Sequence, residues 1–218
     1  MSELKDIYII GAGGSGKEAA DTIRSINKVK KQYNILGFID ASSSLIDTII
    51  NDIPVKGNEA YLKKVAEKSS EKVYSVISIG DPIVKKKIAE FMGEDVIWEN
   101  IIHPTAVISD YAVFGEGILI QAQGFVGANA VIGDHVQVNA KSNVSHDSII
   151  GSYSSIMCLC DITGNVTLGD EVYVASSVSV IPGITINKSA KIGAGATVMK
   201  DVPPGVTMHG YRAVEAKK

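Results

Sequence analysis

The chain has 218 residues, 45% of them hydrophobic, with 21 basic and 24 acidic side chains, a formal net charge of −3 and a pI near 5.8. That length accommodates one large domain or two small ones with a real core, and the charge balance gives no reason to expect nucleic acid. No stretch approaches the ~18 apolar residues of a membrane span, and the start lacks a signal peptide's apolar segment, so a cytoplasmic protein is expected.

Taken in chain order, Ile7–Ile10 is a short apolar run that ends in Gly11-Ala12-Gly13-Gly14-Ser15-Gly16. A helix should follow, because Ala19, Ala20, Ile23 and Ile26 recur at three-to-four spacing. Residues 35–40 and 74–80 read as a second and third strand, and helices fill 58–69 and 82–92. The basic run Lys85–Lys87 reads as the solvated face of the last of these. Strands alternating with helices predict a small parallel sheet of Rossmann type over residues 1–97. The glycine loop fits G-x-G-x-x-G between a strand and a helix, and Asp40 ends the next strand, where dinucleotide-binding proteins place a ribose-binding acid. By itself that pattern points weakly to NAD. Asp40 read as a strand-end acid that caps a turn is the plain alternative.

The period then changes. Stepping by six from Ile102 meets an aliphatic or Phe residue at seventeen successive positions, ending at Val198. The residue four after each is small or apolar, as at Ala106, Ala130, Ser142, Val172 and Ala196. Such hexads are short strands with corners, three to a triangular coil, with the aliphatic and small positions inward. Residues 98–218 are therefore expected to form a left-handed parallel β-helix with a short carboxyl-terminal tail. The two cysteines, Cys158 and Cys160, are expected on one strand, poorly placed for a disulfide or a metal.

The hexads, together with the preceding Rossmann-like segment and the junction Ile101-Ile102-His103-Pro104, resemble the hexapeptide-repeat acyltransferases. The branch resembled is that of nucleotide-sugar N-acetyltransferases of bacillosamine and perosamine type, with sialic-acid O-acetyltransferase homologues. The resemblance implies an acetyl-CoA-dependent homotrimer without a metal, acting on a nucleotide-linked amino sugar, with the cofactor lying between neighbouring β-helices. It places the general base at His146, followed by the acid Asp147, and the oxyanion donor at Gly164. For acetyl-CoA it implies Ser155, Gly164, Ser176 and Ala194. For the nucleotide sugar it implies Gly13, Gly14, Ser15, Asp40, Ala41, Gly80 and Asp81, with Asn139 as a further candidate. Ser155 and Ser15 depart from the pattern, which carries histidine at both places, and Met157–Cys160 replaces a more polar stretch.

The residues support this chemistry directly. Attack of an amine on a thioester needs a group that takes a proton as nitrogen adds, and imidazole suits that task. Adjacent residues on a straight strand point apart, so a coil corner must lie between His146 and Asp147. One coil is eighteen residues, so Gly164 stacks on His146 at about the 4.8 Å strand spacing, where its N–H could meet an oxyanion. His135 and His209 read as surface residues, and His103 as part of the domain junction. Outward Tyr153, Met157 and Tyr173 suggest a subunit interface. O-acetylation of a sugar such as sialic acid remains an alternative, as does a non-catalytic nucleotide-sugar or NAD-binding trimer. A hexapeptide carbonic anhydrase would need three zinc-binding histidines, which four scattered ones do not supply.

Overall fold

The computed structural model describes residues 4–210; the rest of the tail lies outside them. The first domain is built from β1 (Lys5–Ile10), α1 (Gly14–Val29), β2 (Tyr33–Ile39), β3 (Ile49–Ile50), β4 (Ile53–Gly57), α2 (Glu59–Lys68), β5 (Tyr74–Ile77), α3 (Pro82–Met92) and β6 (Ile97–Trp98). Its sheet has the order β3-β4-β2-β1-β5-β6, parallel except for β3. The three expected strands are present, and three more were not foreseen. β3 and β4 meet at Asn51–Asp52, both at positive φ, which is a tight hairpin turn. Pro54 inside β4 speaks against a strand from sequence and is tolerated because the neighbouring β3 is a two-residue edge.

The helices follow from local chemistry. On α1, Ala19, Ala20 and Ile23 are fully buried and Ile26 nearly so, which makes the stripe that packs on Ile7, Ile9 and Phe38. Asp81 caps α3, its carboxylate accepting from the N–H of Ile83 (2.9 Å) and Val84 (3.1 Å), and Pro82 starts the first turn. Gly16 lets α1 approach β1, since a Cβ there would stand 1.9 Å from the Gly11 carbonyl oxygen.

From Ile101 onward the chain is the β-helix, with two-residue strands six apart. They stack into three walls of parallel strands with an eighteen-residue register. Wall one runs from Ile101–Ile102 to Thr207–Met208, wall two from Val107–Ile108 to Thr197–Val198, and wall three from Val113–Phe114 to Thr185–Ile186. The aliphatic hexad residues from Ile120 to Val198 form one buried cluster inside the prism. The last coil is shorter: Lys191 pairs with Thr207 and Ile186 bridges Val202, both sixteen residues on. From Gly117 to Gly195 each corner is turned by one residue in the left-handed region, for example Asn129 (φ 59), His135 (φ 56), Asp147 (φ 56) and Leu159 (φ 62). Cys158 and Cys160 therefore flank a corner instead of sharing a strand. The Cys160 thiol is buried and donates to the Ala175 carbonyl (3.1 Å).

The α/β domain lies on wall one. Ile101 and Leu119 join the core under α1, and Gln137 donates to the Ile77 carbonyl (3.1 Å). Lys85 of α3 corrects the expectation of a solvated basic face. It is 0% exposed, and its ammonium donates to the His135 carbonyl (2.9 Å), the Ser154 carbonyl (3.3 Å) and Ser155 Oγ (2.9 Å). Burial without a touching carboxylate lowers its pKa to about 7, opposed by the charge of Asp81.

Candidate active site

Three corners join the three walls, and the α/β domain decides what each can do. The corner between walls three and one is covered: His135 is 3% exposed, edge-on to Trp98 (4.7 Å) and stacked on Tyr153 (5.4 Å). The surface role expected for His135 is thus wrong. Burial, then the Lys85 charge, push its pKa down to about 4, which makes it a neutral aromatic spacer. Tyr153 packs on the same domain core, and Met157 approaches Gly80, so both are half-buried against their own chain.

The corner between walls two and three faces away from the α/β domain and carries His146. The required bend exists: Asp147 occupies the left-handed region, which turns its carboxylate back so that Oδ2 lies 2.8 Å from His146 Nδ1. The ring is 61% exposed and lies across Gly164, where a Cβ would stand 2.5 Å from Nε2 and Cε1. A glycine is needed at that place for the imidazole to sit there. On either side of Gly164, Thr163 N and Asn165 N donate to the Val180 and His146 carbonyls, and the Gly164 amide is left out of this ladder. Asp147 Oδ1 accepts from Asn129 Nδ2 (3.0 Å), one coil below. The Asn129 amide, then His146, hold the Asp147 carboxyl below the usual range.

The third corner, between walls one and two, brings together Ser176 and Ala194. They are exposed and one coil apart, joined through Gly195 N to the Ser176 carbonyl (2.9 Å). Ser155 does not belong with them. It is 0% exposed on the covered wall, bonded to Lys85, and closed to a cofactor. The residues assigned to acetyl-CoA by sequence are thus split between two corners and a buried wall.

In the α/β domain, Gly13 and Gly14 are exposed, and a Cβ on either would meet nothing within 4 Å. Ser15 Oγ pairs with Ser78 Oγ (2.8 Å). Asp40 ties the loop together: its two oxygens accept from Ala12 N and Ser42 N, both at 2.9 Å. Ala41 is exposed beside it, whereas the Asp81 carboxylate is engaged in capping α3. Asn139 is 6% exposed with its Oδ1 unpartnered and its Nδ2 toward Met157 Sδ (3.4 Å). His103, half-buried at the junction as expected, contacts Thr105 through Nδ1. A sugar reaching from Gly13 and Gly14 to His146 of the same chain is ruled out by this layout, because wall one and the corner of His146 are on opposite sides of the prism.

Residues 6–92 match the family model described as the PglD N-terminal domain. That match spans 87 of the 218 residues. Joined to the β-helix, this PglD-type domain gives an architecture shared with solved sugar acetyltransferases. PerB from Caulobacter crescentus, solved with CoA and GDP-perosamine, superposes with a TM-score of 0.81 at 26% identity over 95% of both chains. The acetyltransferase domain of PglB from Neisseria gonorrhoeae, solved with acetyl coenzyme A, gives 0.83 at 25% identity over 95% of this chain and 97% of that one. The UDP-N-acetylbacillosamine N-acetyltransferase of Bacillus subtilis is 30% identical over 127 residues, 55% of this chain and 52% of that enzyme. The chain spans about half or less of the curated relatives it matches.

Proposed function

We propose that the protein transfers an acetyl group from acetyl-CoA to the amino group of a nucleotide-linked amino sugar. The observation that carries this reading is the dyad at the open corner. Asp147 accepts from Nδ1–H of His146, which leaves the Nε2 lone pair free on the ring face that lies over Gly164. In the reaction, the acceptor nitrogen attacks the thioester carbon and forms the C–N bond while Nε2 takes the ammonium proton. The negative oxygen of the tetrahedral adduct is met by the Gly164 N–H. Collapse breaks the C–S bond, and the imidazolium returns its proton to the CoA thiolate.

The acceptor enters from the PglD-type domain, with the nucleotide at Gly13 and Gly14 and the backbone amides of α1's first turn, and with Asp40 and Ala41 at the loop's edge. Gly80 and Asn139 face the sugar from the seam between the domains. Ser176 and Ala194 line the pantetheine path. Because His146 points away from the domain of its own chain, the site is completed by a second copy. The exposed apolar ladders Val113–Val131–Ile149 on wall three and Val107–Phe125 on wall two flank the corner of His146 and suit such a contact in a homotrimer.

The test is CoA thiol release from acetyl-CoA with UDP-, GDP- and dTDP-linked 4-amino sugars and their hydroxyl counterparts. Turnover with an amino sugar is expected. Turnover with the hydroxyl sugars alone would make the enzyme an O-acetyltransferase, and no turnover with tight NAD binding would overturn the reading.

A further inference from the structure

Asn129 stands in the same corner column as Asp147, eighteen residues earlier and one coil below. All the backbone asks of this place is a residue that tolerates the left-handed region (φ 59), a role Asn165 plays one coil above Asp147 (φ 57). Asn129 does more than turn the chain. Its Nδ2 donates to Asp147 Oδ1 at 3.0 Å while Asp147 Oδ2 meets His146 Nδ1 at 2.8 Å. Both members of the dyad are exposed, at 61% and 46%, so nothing packs the carboxylate into place. Among the described residues Asp147 is the ionic partner of the ring, and Asn129 is the side chain that holds Asp147.

We infer that Asn129 is a positioning residue of the catalytic base: it fixes the Asp147 carboxylate through one oxygen so that the other holds His146 with Nδ1 protonated and Nε2 free. This rests on the acetyltransferase reading for its consequence in turnover, but not for its structural content. Without the amide, an exposed carboxylate samples its rotamers, the Nδ1–H bond is made only part of the time, and the Nε2–H tautomer, useless as a base, gains population. A side chain that merely turned the corner would have none of these effects.

Two variants separate the roles. Asn129→Gly keeps the left-handed backbone and removes the amide; Asn129→Asp keeps the shape and sets a second carboxylate beside the first. Histidine-labelled protein, read by nitrogen NMR with His146→Ala to assign the signal, gives the titration midpoint and tautomer of His146 with no acceptor present. For Asn129→Gly we expect a lower midpoint and a smaller Nδ1–H fraction. For Asn129→Asp the midpoint should rise by about half a unit, the worth of one charge at about 6 Å in water. Turnover with the active amino sugar should fall about tenfold in kcat for Asn129→Gly, a fraction of the base's own worth, with KM and Tm nearly unchanged. Unmoved midpoints and tautomer in both variants would overturn the inference even if His146→Ala is inactive. If His146→Ala keeps its turnover while the midpoints move as expected, the acetyltransferase reading of His146 fails and the positioning contact stands.

Discussion

His135 and His146 occupy two corners of the same prism in closely matched local settings, yet they are opposite in character. Each ring lies on a glycine one coil away, Gly117 for His135 and Gly164 for His146, where a Cβ would come within 2.4 and 2.5 Å of ring atoms. His135 is closed off by Trp98, Tyr153 and the backbone contacts of Lys85, with its Nδ1 unpartnered. His146 is open, with a carboxylate on Nδ1. The hexad sets where a ring can lie; the docking of the α/β domain sets whether water, and so a substrate, can reach it. Burial beside Lys85 makes His135 neutral and structural, and exposure beside Asp147 equips His146 for proton transfer.

The sharpest break of this comparison is His146→Ala. It should lower kcat/KM by about 10²–10⁴ with almost no change in Tm, the usual worth of a general base at an exposed site. Retention of more than a tenth of the activity would sink the assignment. Next, Val131→Asp puts a charge in the exposed ladder beside the open corner. Light scattering should then show a monomer where a trimer is expected of the wild type, and turnover should be lost with it. A trimer that survives with full turnover would place the interface elsewhere.

At the covered corner the effects are on stability. His135→Ala should cost about 3 kcal/mol by chemical denaturation, as expected for removing a buried ring, without a direct effect on turnover. Because the folded pKa near 4 lies below the unfolded 6.5, the unfolded chain binds a proton in that interval that the folded one does not. Stability is complete above pH 6.5 and declines as pH falls toward 4, by up to about 3 kcal/mol, and His135→Phe should remove that slope. The smallest effect at neutral pH belongs to Lys85→Met. Lys85 is lowered from 10.5 to about 7, so wild-type stability should rise as pH increases from 7 to 10. The variant's curve should be flat there; an equal rise in both would show that Lys85 is charged at no cost in its pocket.

Much of the molecule was legible in advance. The six-residue period gave the coils, their walls and the vertical neighbours, because an inward aliphatic position every sixth residue is the condition for burying a core one coil at a time. The same eighteen-residue arithmetic that paired Gly164 with His146 also pairs Asn129 with Asp147, and could have found it. The glycine loop with its helix followed from spacing, and the helices expected over 58–69 and 82–92 are present at 59–68 and 82–92. β3 and β6 were hidden because isolated two-residue strands, outside any repeat, carry no periodic signal, and β4 because its proline reads as a strand breaker.

What the chain could not reveal along its length was which outward side chains stay outward. A hexad tells inside from outside of the prism, and nothing in it records that α3 descends on wall one. That docking buried His135, Ser155 and Lys85, turned Tyr153 and Met157 into intramolecular contacts, and left the corner of His146 as an open edge flanked by apolar ladders. Periodicity is local and is fixed by the backbone's own geometry. The covering of one wall depends on the fit of two separately folded surfaces, and only the tertiary structure decides it.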